Sequence, residues 1–322
     1  MIEPGKILTE KYRPKRLEDI VGQQAIVEKL QGFVSTGKIP HMLMSGPAGT
    51  GKTTSLLALL RELYGSDWKD FILELNASDE GRVDVMRGKI KEFTKIQLNS
   101  RTGYKVIFLD ESDYLTTASQ AILRRTMEKT SRTCRFVLSC NYPKKIIEPI
   151  QDRCACFRFK MISVPDMIGY LKPICENEKI DITEPALDLL AAKSRGSMRK
   201  PINVLETILN SNTRHVNEKT ILELTYWVDY KKITELVEEI SNLKFTNASN
   251  IVKEMLFTSC YDSEEVVSAL MDEFCNTKLI SGPVKLKAIS KLSETNTSIS
   301  QGSDPFLTLR GFIAYVILEV NK

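Results

Sequence analysis

Three short stretches carry residues whose types and spacing suit phosphate chemistry. The first, Gly46-Pro47-Ala48-Gly49-Thr50-Gly51-Lys52-Thr53, reads G-x-x-x-x-G-K-[ST], with Thr54 directly after it. Its glycines let successive backbone N–H groups curl around phosphate oxygens. The N-terminus of a following helix adds partial positive charge. In such a loop the lysine, Lys52, reaches the β and γ phosphates and the hydroxyl, Thr53, sits on Mg²⁺. The second stretch, Val106-Ile107-Phe108-Leu109-Asp110-Glu111, is an apolar run ending in two carboxylates. One acid for the metal, Asp110, and one to polarise the attacking water, Glu111, is what hydrolysis of a γ-phosphate requires. The third ends in Asn141, whose amide can orient water or sense the phosphate, although asparagine at a strand end is often only a turn former. ATP and Mg²⁺ are the expected ligands.

Two arginines extend this set. Arginine suits the stabilisation of charge on a transferring phosphoryl group. Arg153 follows an apolar helix end, and nothing in its spacing places it in this chain's own site, so it is expected to reach a neighbour's nucleotide. Arg199, in Gly196-Ser197-Met198-Arg199-Lys200, starts a helix and can fold back onto the phosphates. Either arginine alone is more often a surface charge. Asp113 reads as a solvated or capping carboxylate. A helix over residues 84–96 carries Arg87, Lys91 and Lys95 at i, i+4 and i+8, with Arg82 just before it. Such a basic stripe can follow a phosphate backbone without reading sequence, but on pattern alone it is more often an ordinary solvated face.

The elements that must position these residues follow from periodicity. Apolar runs at 42–44, 71–75, 106–109, 135–138 and 155–159 alternate with helical patterns near 26–33, 56–60, 84–96 and 117–129. Short apolar strands alternating with helices imply a parallel sheet covered on both faces. Asn76, Asp110, Glu111 and Asn141 then share the carboxyl edge, where open α/β sheets bind ligands. After Phe159 the strand signal stops. Pro165, Pro173, Pro185 and Pro201 punctuate helical patterns to about Leu224, and the rest is helical, with polar breaks near 242–250 and 293–303. The expected domains are 1–160 (nucleotide-binding α/β), 161–228 (helical) and 229–322 (all-α). The last helix, Pro305–Val320, is apolar over a wide surface, which fits either a core helix or one packed on other subunits.

Composition sets the outer limits. The chain has 322 residues, 42% hydrophobic and 27% charged, with a net charge of +4. That charge permits nucleic-acid contact without arguing for it. No apolar run approaches the ~18 residues of a membrane span, and the N-terminus lacks the apolar core of a signal peptide. Seven cysteines without a C-x-x-C pair point to reduced thiols in an intracellular protein, cytoplasmic or nuclear according to the organism.

Together these residues resemble the small subunit of replication factor C, the archaeal and eukaryotic type of sliding-clamp loader, over nearly the whole chain. Glu10-Lys11-Tyr12-Arg13-Pro14 is similar to that family's N-terminal signature near the adenine pocket. Leu73-Glu74-Leu75-Asn76-Ala77-Ser78-Asp79, Leu123-Arg124-Arg125-Thr126-Met127-Glu128 and Gly196-Ser197-Met198-Arg199-Lys200 look like further family strings. The resemblance implies an AAA+ P-loop sheet with a helical lid and an all-α collar. It implies nucleotide contacts from Tyr12, Arg13, Val21, Gly46 to Thr54, Asn141 and Arg199. Asn141 becomes the first sensor, Arg199 the second, and Arg153 a finger acting in trans. Arg82, Arg87 and Lys91 become contacts to primer-template DNA. The implied partners are a large subunit and other small subunits, in a pentamer, and a ring-shaped clamp; no membrane is implied.

The sequence departs from the family pattern in four places. Ala48 stands for a second proline, Ser112 for the alanine of D-E-A-D, and Gly81-Arg82 inverts the commoner Arg-Gly order. Asp152 stands for the serine of S-R-C, and a carboxylate there can pair with Arg153 and weaken it. The expected function is that of an ATPase subunit loading a ring clamp onto primed DNA. The rivals are another AAA+ DNA machine, such as a helicase loader or branch-migration motor, and an ATP-binding scaffold with dispensable hydrolysis.

Overall fold

Runs of Val, Ile, Leu, Phe and Met form the sheet. Its strands are β1 (Met42–Ser45), β2 (Ile72–Asn76), β3 (Lys105–Asp110), β4 (Cys134–Cys140) and β5 (Ala155–Arg158), all parallel, in the order β2-β3-β4-β1-β5. The computed structural model describes residues 7–78, 83–95, 103–211, 215–225 and 227–321, without the side chains of 83–87. β1 is buried throughout and β3 everywhere but at Asp110, because helices cover both faces. Ser45 pairs with Cys140 on one side and Arg158 on the other, and Asn76 with Asp110. The chain runs from β1 to the β2 edge, returns through β3 and β4, and then crosses β1 to β5. The switch in strand order therefore falls at the carboxyl end of β1.

The helices of this layer are α1 (Leu8–Lys11), α2 (Gln24–Thr36), α3 (Lys52–Tyr64), α4 (Val83–Lys95), α5 (Thr117–Thr130) and α6 (Glu148–Gln151). Leu30 of α2 and Leu56 and Leu60 of α3 pack with Met42, Met44 and Val106 on one face. Leu123 and Met127 of α5 and Ile90 of α4 pack with Leu43, Ile107 and Leu138 on the other. Neighbouring residues of β1 and β3 thus serve opposite faces, as the period-two geometry of a strand demands.

Beyond β5 come α7 (Val164–Asn177), α8 (Glu184–Lys193) and α9 (Arg199–Asn210). The strand signal does not end at Phe159, as the sequence suggested. β6 (Asp181–Ile182) and β7 (His215–Val216) form a small parallel pair, each too short to leave a periodic trace. Proline acts here mainly as a starter. Pro165 and Pro185 sit in first turns, while Pro173 lies inside α7 without ending it. The N-terminal segment is strapped to this helical part. The Tyr12 hydroxyl donates to Glu178 Oε1, Lys11 Nζ lies 2.6 Å from the same oxygen, and the Tyr170 hydroxyl donates to the Tyr12 carbonyl.

The chain divides into two units, Met1–Val216 and Asn217–Lys322. The second is helical: α10 (Glu218–Thr225), α11 (Tyr230–Ser241), α12 (Phe245–Lys253) with a π turn after it, α13 (Ser263–Asn276), α14 (Gly282–Ser300) and α15 (Pro305–Val320). The sequence expectation had placed α10 with the segment 161–228. Both expected polar breaks are largely helix. Leu292, Thr295 and Ile299 are buried at i, i+3 and i+7, a stripe narrow enough for serine, threonine and asparagine to fill the solvent side of α14. Leu309, Phe312, Ile313 and Val316 of α15 are buried in this unit's own core, where Phe312 meets Phe274 edge-on at 5.7 Å, while Leu307 and Leu318 are exposed. Among the described residues no helix is long and apolar enough to cross a membrane.

Two titrations test this packing. His41 Nδ1 accepts the Phe136 N–H at 2.9 Å, so the ring must stay neutral to hold β4. Burial, with the charge of Arg135, lowers its pKa to about 4. A folded value below the unfolded one means that this stabilisation is complete above the ordinary histidine pKa of ~6.5 and is lost as pH falls toward 4. The proton resonances of the two histidines should show one ring titrating near pH 4, and His41→Gln should flatten the fall in unfolding temperature over that interval; a His41 titration near 6.5 would contradict this. Burial raises the Tyr12 phenol above its ordinary value, with the Glu178 hydrogen bond and charge adding to it. That contribution is complete below pH ~10 and is lost as pH rises through the folded value. Ultraviolet titration against a Tyr12→Phe control should show Tyr12 ionising at lower pH in Glu178→Gln than in the parent chain.

Candidate active site

Two glycines of the loop after β1 have no substitute. Gly46 has φ +149°, and a Cβ there would lie 2.4 Å from the Phe159 carbonyl oxygen. Gly49 has φ +77°, and its Cβ would fall 2.0 Å from Ser197 Oγ, while its carbonyl accepts the Met198 N–H at 3.0 Å. The loop is therefore pressed between the end of β5 and the turn before α9. Gln23, which no sequence signal marked, seals the underside. Its buried amide donates to the carbonyls of Thr50 (3.4 Å) and Lys160 (2.8 Å), and its Oε1 accepts the Lys160 N–H at 3.3 Å.

Lys52, the first residue of α3, is 8% exposed. Its ammonium donates to the carbonyls of Gly46 (2.7 Å) and Pro47 (2.9 Å) and to Asn141 Oδ1 (3.0 Å). Burial lowers its pKa, and Asp110 leads the charges that oppose the shift. Thr53 Oγ1 donates to Asp110 Oδ2 at 3.2 Å, and Asp110 Oδ1 accepts the Glu111 N–H at 2.9 Å. Glu111 takes a left-handed conformation, φ +53°, unfavourable for a residue with a side chain. The strand thus ends in a sharp turn that separates the two acids. Asp113 is not the solvated carboxylate that the sequence allowed. It is buried, and its Oδ2 accepts the N–H groups of Asn141 (3.3 Å) and Tyr142 (3.2 Å).

These groups open onto one cavity of about 400 Å³. Ala48 to Thr54 line it together with Asp110, Glu111, Asn141 and Arg199, and so do Tyr12, Arg13 and Val21. Gly46 and Pro47 do not; they lie behind it and present carbonyls to Lys52. Ile20, Ile162, Met198 and Ile202 add apolar lining, and Ile162 packs with Val21 and Met198 in one cluster. Glu74 of β2 also lines the cavity. Burial raises its pKa, Arg13 opposes the shift and Asp110 adds to it. Its place in an apolar strand string gave no hint of this.

Other expected residues lie elsewhere. Arg153 is not among the cavity's lining; its guanidinium donates to Glu128 Oε1 (2.7 Å) and to the Pro149 carbonyl (2.6 Å). Its carboxylate partner is thus Glu128 of α5 rather than the neighbouring Asp152. Of the expected DNA contacts, Lys91 is exposed on α4. Arg82 and the side chain of Arg87 lie outside the described residues.

Residues 42–161 match the family profile of AAA, the ATPase family associated with various cellular activities, and residues 228–315 match the replication factor C C-terminal domain. The replication factor C small subunit of Archaeoglobus fulgidus is 40% identical over 321 residues, covering 100% of both chains. That of Sulfolobus acidocaldarius is 38% identical over 322 residues, covering 100% of this chain and 98% of its own. The solved Thermotoga maritima RuvB, a Holliday junction branch migration motor, aligns at a TM-score of 0.56 and 20% identity over 70% of this chain and 80% of its own, a likeness of fold. An ATPase sheet of this kind, a matching C-terminal domain and full-length identity near 40% place the chain in the replication factor C small-subunit family.

Proposed function

We propose that this chain is an ATP-hydrolysing subunit of a loader that opens a ring-shaped clamp and places it on primed template DNA. The observation that carries the catalytic part is the convergence of Lys52, Thr53, Asp110, Glu111 and Asn141 on one cavity that also has apolar lining. The apolar lining suits a nucleobase, and the glycine loop and the start of α3 suit phosphates. Lys52 exchanges its loop carbonyls for phosphate oxygens. Thr53 and Asp110 offer an adjacent hydroxyl and carboxylate, a donor pair that fits Mg²⁺, which takes few protein oxygens and completes its shell with phosphate and water. The ion supplies neutralisation of phosphate charge. Glu111 orients and deprotonates the water that attacks the γ-phosphorus, and the Pγ–O bond to ADP breaks. Asn141 holds that water or a γ oxygen.

Arg153 is assigned to the neighbouring subunit's nucleotide, because its own cavity excludes it and its exposed ion pair is weak. Arg82, Arg87 and Lys91 are assigned to the DNA backbone. The family membership supports a multi-subunit assembly; the large subunit, further small subunits, the clamp and primer-template DNA are the proposed partners. Coupling works by population shift, since ATP must bind the clamp-gripping arrangement better than the relaxed one.

The test is steady-state ATP hydrolysis by the chain assembled with its large subunit, with and without primed single-stranded DNA, at low salt because phosphate contacts are screened at high salt. Glu111→Gln should retain nucleotide binding and lose hydrolysis. Arg153→Ala should retain binding and lose most of the DNA-stimulated rate, by about 10³-fold or more if it acts as a finger. Unchanged hydrolysis in an assembly made wholly of Arg153→Ala would remove the role in trans. Processive strand displacement would favour a motor over a loader.

A further inference from the structure

Asn141 is the first residue beyond the ladder of β4. Cys140 is still paired with Ser45, and its carbonyl accepts the Gly46 N–H at 3.2 Å. Past that point the sheet cannot hold the chain, yet the Asn141 side chain meets Lys52 at 3.0 Å. What holds its backbone is Asp113. That carboxylate is 6% exposed and receives both the Asn141 and the Tyr142 N–H on Oδ2. Among the described residues its Oδ1 is buried without a hydrogen-bond partner. Burying a carboxylate only partly satisfied is unfavourable, so such a group persists where its position is needed.

Asp113 is itself rigidly presented. Ser112 Oγ donates to the Leu109 carbonyl at 2.8 Å, the Tyr114 N–H to the Glu111 carbonyl at 2.9 Å, and the Leu115 N–H to the Ser112 carbonyl at 3.2 Å. This turn also carries Glu111. One carboxylate oxygen therefore ties the end of β3, with its two acids, to the first residue after β4, with its amide.

We infer that Asp113 is a positioning residue: by binding the Asn141 and Tyr142 amides it fixes the Asn141 side chain at the phosphate end of the cavity, in register with Glu111. This rests on the proposed role of Asn141 in hydrolysis. It gives Asp113 no contact with the substrate. Loss of Asp113 then lowers turnover and leaves nucleotide affinity nearly unchanged, because Lys52 keeps the Gly46 and Pro47 carbonyls as acceptors and the glycine loop keeps its own packing. Asparagine retains one acceptor for the two amides and acts as the conservative rescue; alanine retains none.

Two measurements on the full chain decide it. In amide proton spectra of the nitrogen-15-labelled chain, the Asn141 and Tyr142 signals should lie downfield as donors to a carboxylate. They should move upfield in Asp113→Ala and less so in Asp113→Asn, with the rest of the spectrum kept. In the loader assembly, Asp113→Ala should lower kcat by about ten- to a hundredfold, the rate equivalent of one hydrogen bond to a charged acceptor. KM should stay within about twofold, and Asp113→Asn should recover part of the loss. Amide signals that do not move, or a kcat unchanged in Asp113→Ala, would overturn the inference, as would kcat and affinity falling together in the folded Asp113→Asn chain. An assembly that hydrolyses no ATP even with Asp113 intact would defeat the ATPase reading, while the amide shifts would still report whether Asp113 holds Asn141.

Discussion

A lysine ammonium kept 8% exposed at the edge of a parallel sheet must be given acceptors, and much of the site follows from that need. A buried cation without partners would lose its proton or pull the fold open. Lys52 meets the demand from two carbonyls of its own loop and one amide oxygen from the end of β4. The carbonyls can face inward only because the loop turns sharply there, and the tight packing of Gly46 and Gly49 against Phe159 and Ser197 excludes any side chain. The amide oxygen is in reach only because β4 lies beside β1. Strand order, glycine placement and the lysine are one constraint seen from three sides. A phosphate that offers more negative oxygens competes directly with those three acceptors, so binding and release of the loop's own contacts are linked.

The cavity is assembled from segments far apart in the chain. Tyr12 and Arg13 come from the N-terminal strap, the loop from the first strand, Asp110 and Asn141 from the third and fourth, and Arg199 from the start of α9. The strap and α9 belong to no strand, and among the described residues individual hydrogen bonds link them to the α/β layer. Met198 N–H to Gly49 is one. Any ligand touching both ends would add contacts between the phosphate loop and the α9 turn to those the protein already makes there. Under the proposed function, that is a physical route by which nucleotide state biases the position of the helical part, to which the strap is tied at Glu178.

Sequence patterning made most of this fold legible, for identifiable reasons. The inner strands β1, β3 and β4 are buried on both faces, so they stand out as runs, the edge strands β2 and β5 remain largely apolar, and the glycine loop has few alternative uses. The acids and Asn141 were visible because they end those runs. Contacts made across the chain were not visible. Gln23 looks like any helix-start glutamine, yet it bridges Thr50 and Lys160. Asp113 looks like a third acid in an acidic loop, and only the fold shows it turned inward onto the β4 end. Glu74 hides in an apolar string because its strand lies at the sheet edge, where one face reaches the cavity. The stretch 293–303 read as a break because polar residues fill it and only Thr295 and Ile299 there are buried, and with Leu292 before them they make a stripe that suffices to hold a helix.

Arg153 shows how strength and exposure separate structural from transferable contacts. Its ion pair with Glu128 is short, at 2.7 Å, but the two side chains are 39% and 46% exposed. Pairs of that kind contribute about 0–1 kcal/mol, because water screens the attraction and two long side chains lose freedom. The Pro149 carbonyl adds direction without charge. Such a site keeps the guanidinium extended and oriented at little expense, and gives it up readily to a multiply charged phosphate, which offers a far deeper electrostatic well. A carboxylate from Asp152, adjacent in the chain, would instead have moved with Arg153 and followed it into any new contact. Pairing with α5 anchors the arginine to the body of its own subunit; under the proposed role in trans, the choice between Glu128 and a neighbour's phosphate would depend on how closely the neighbour approaches.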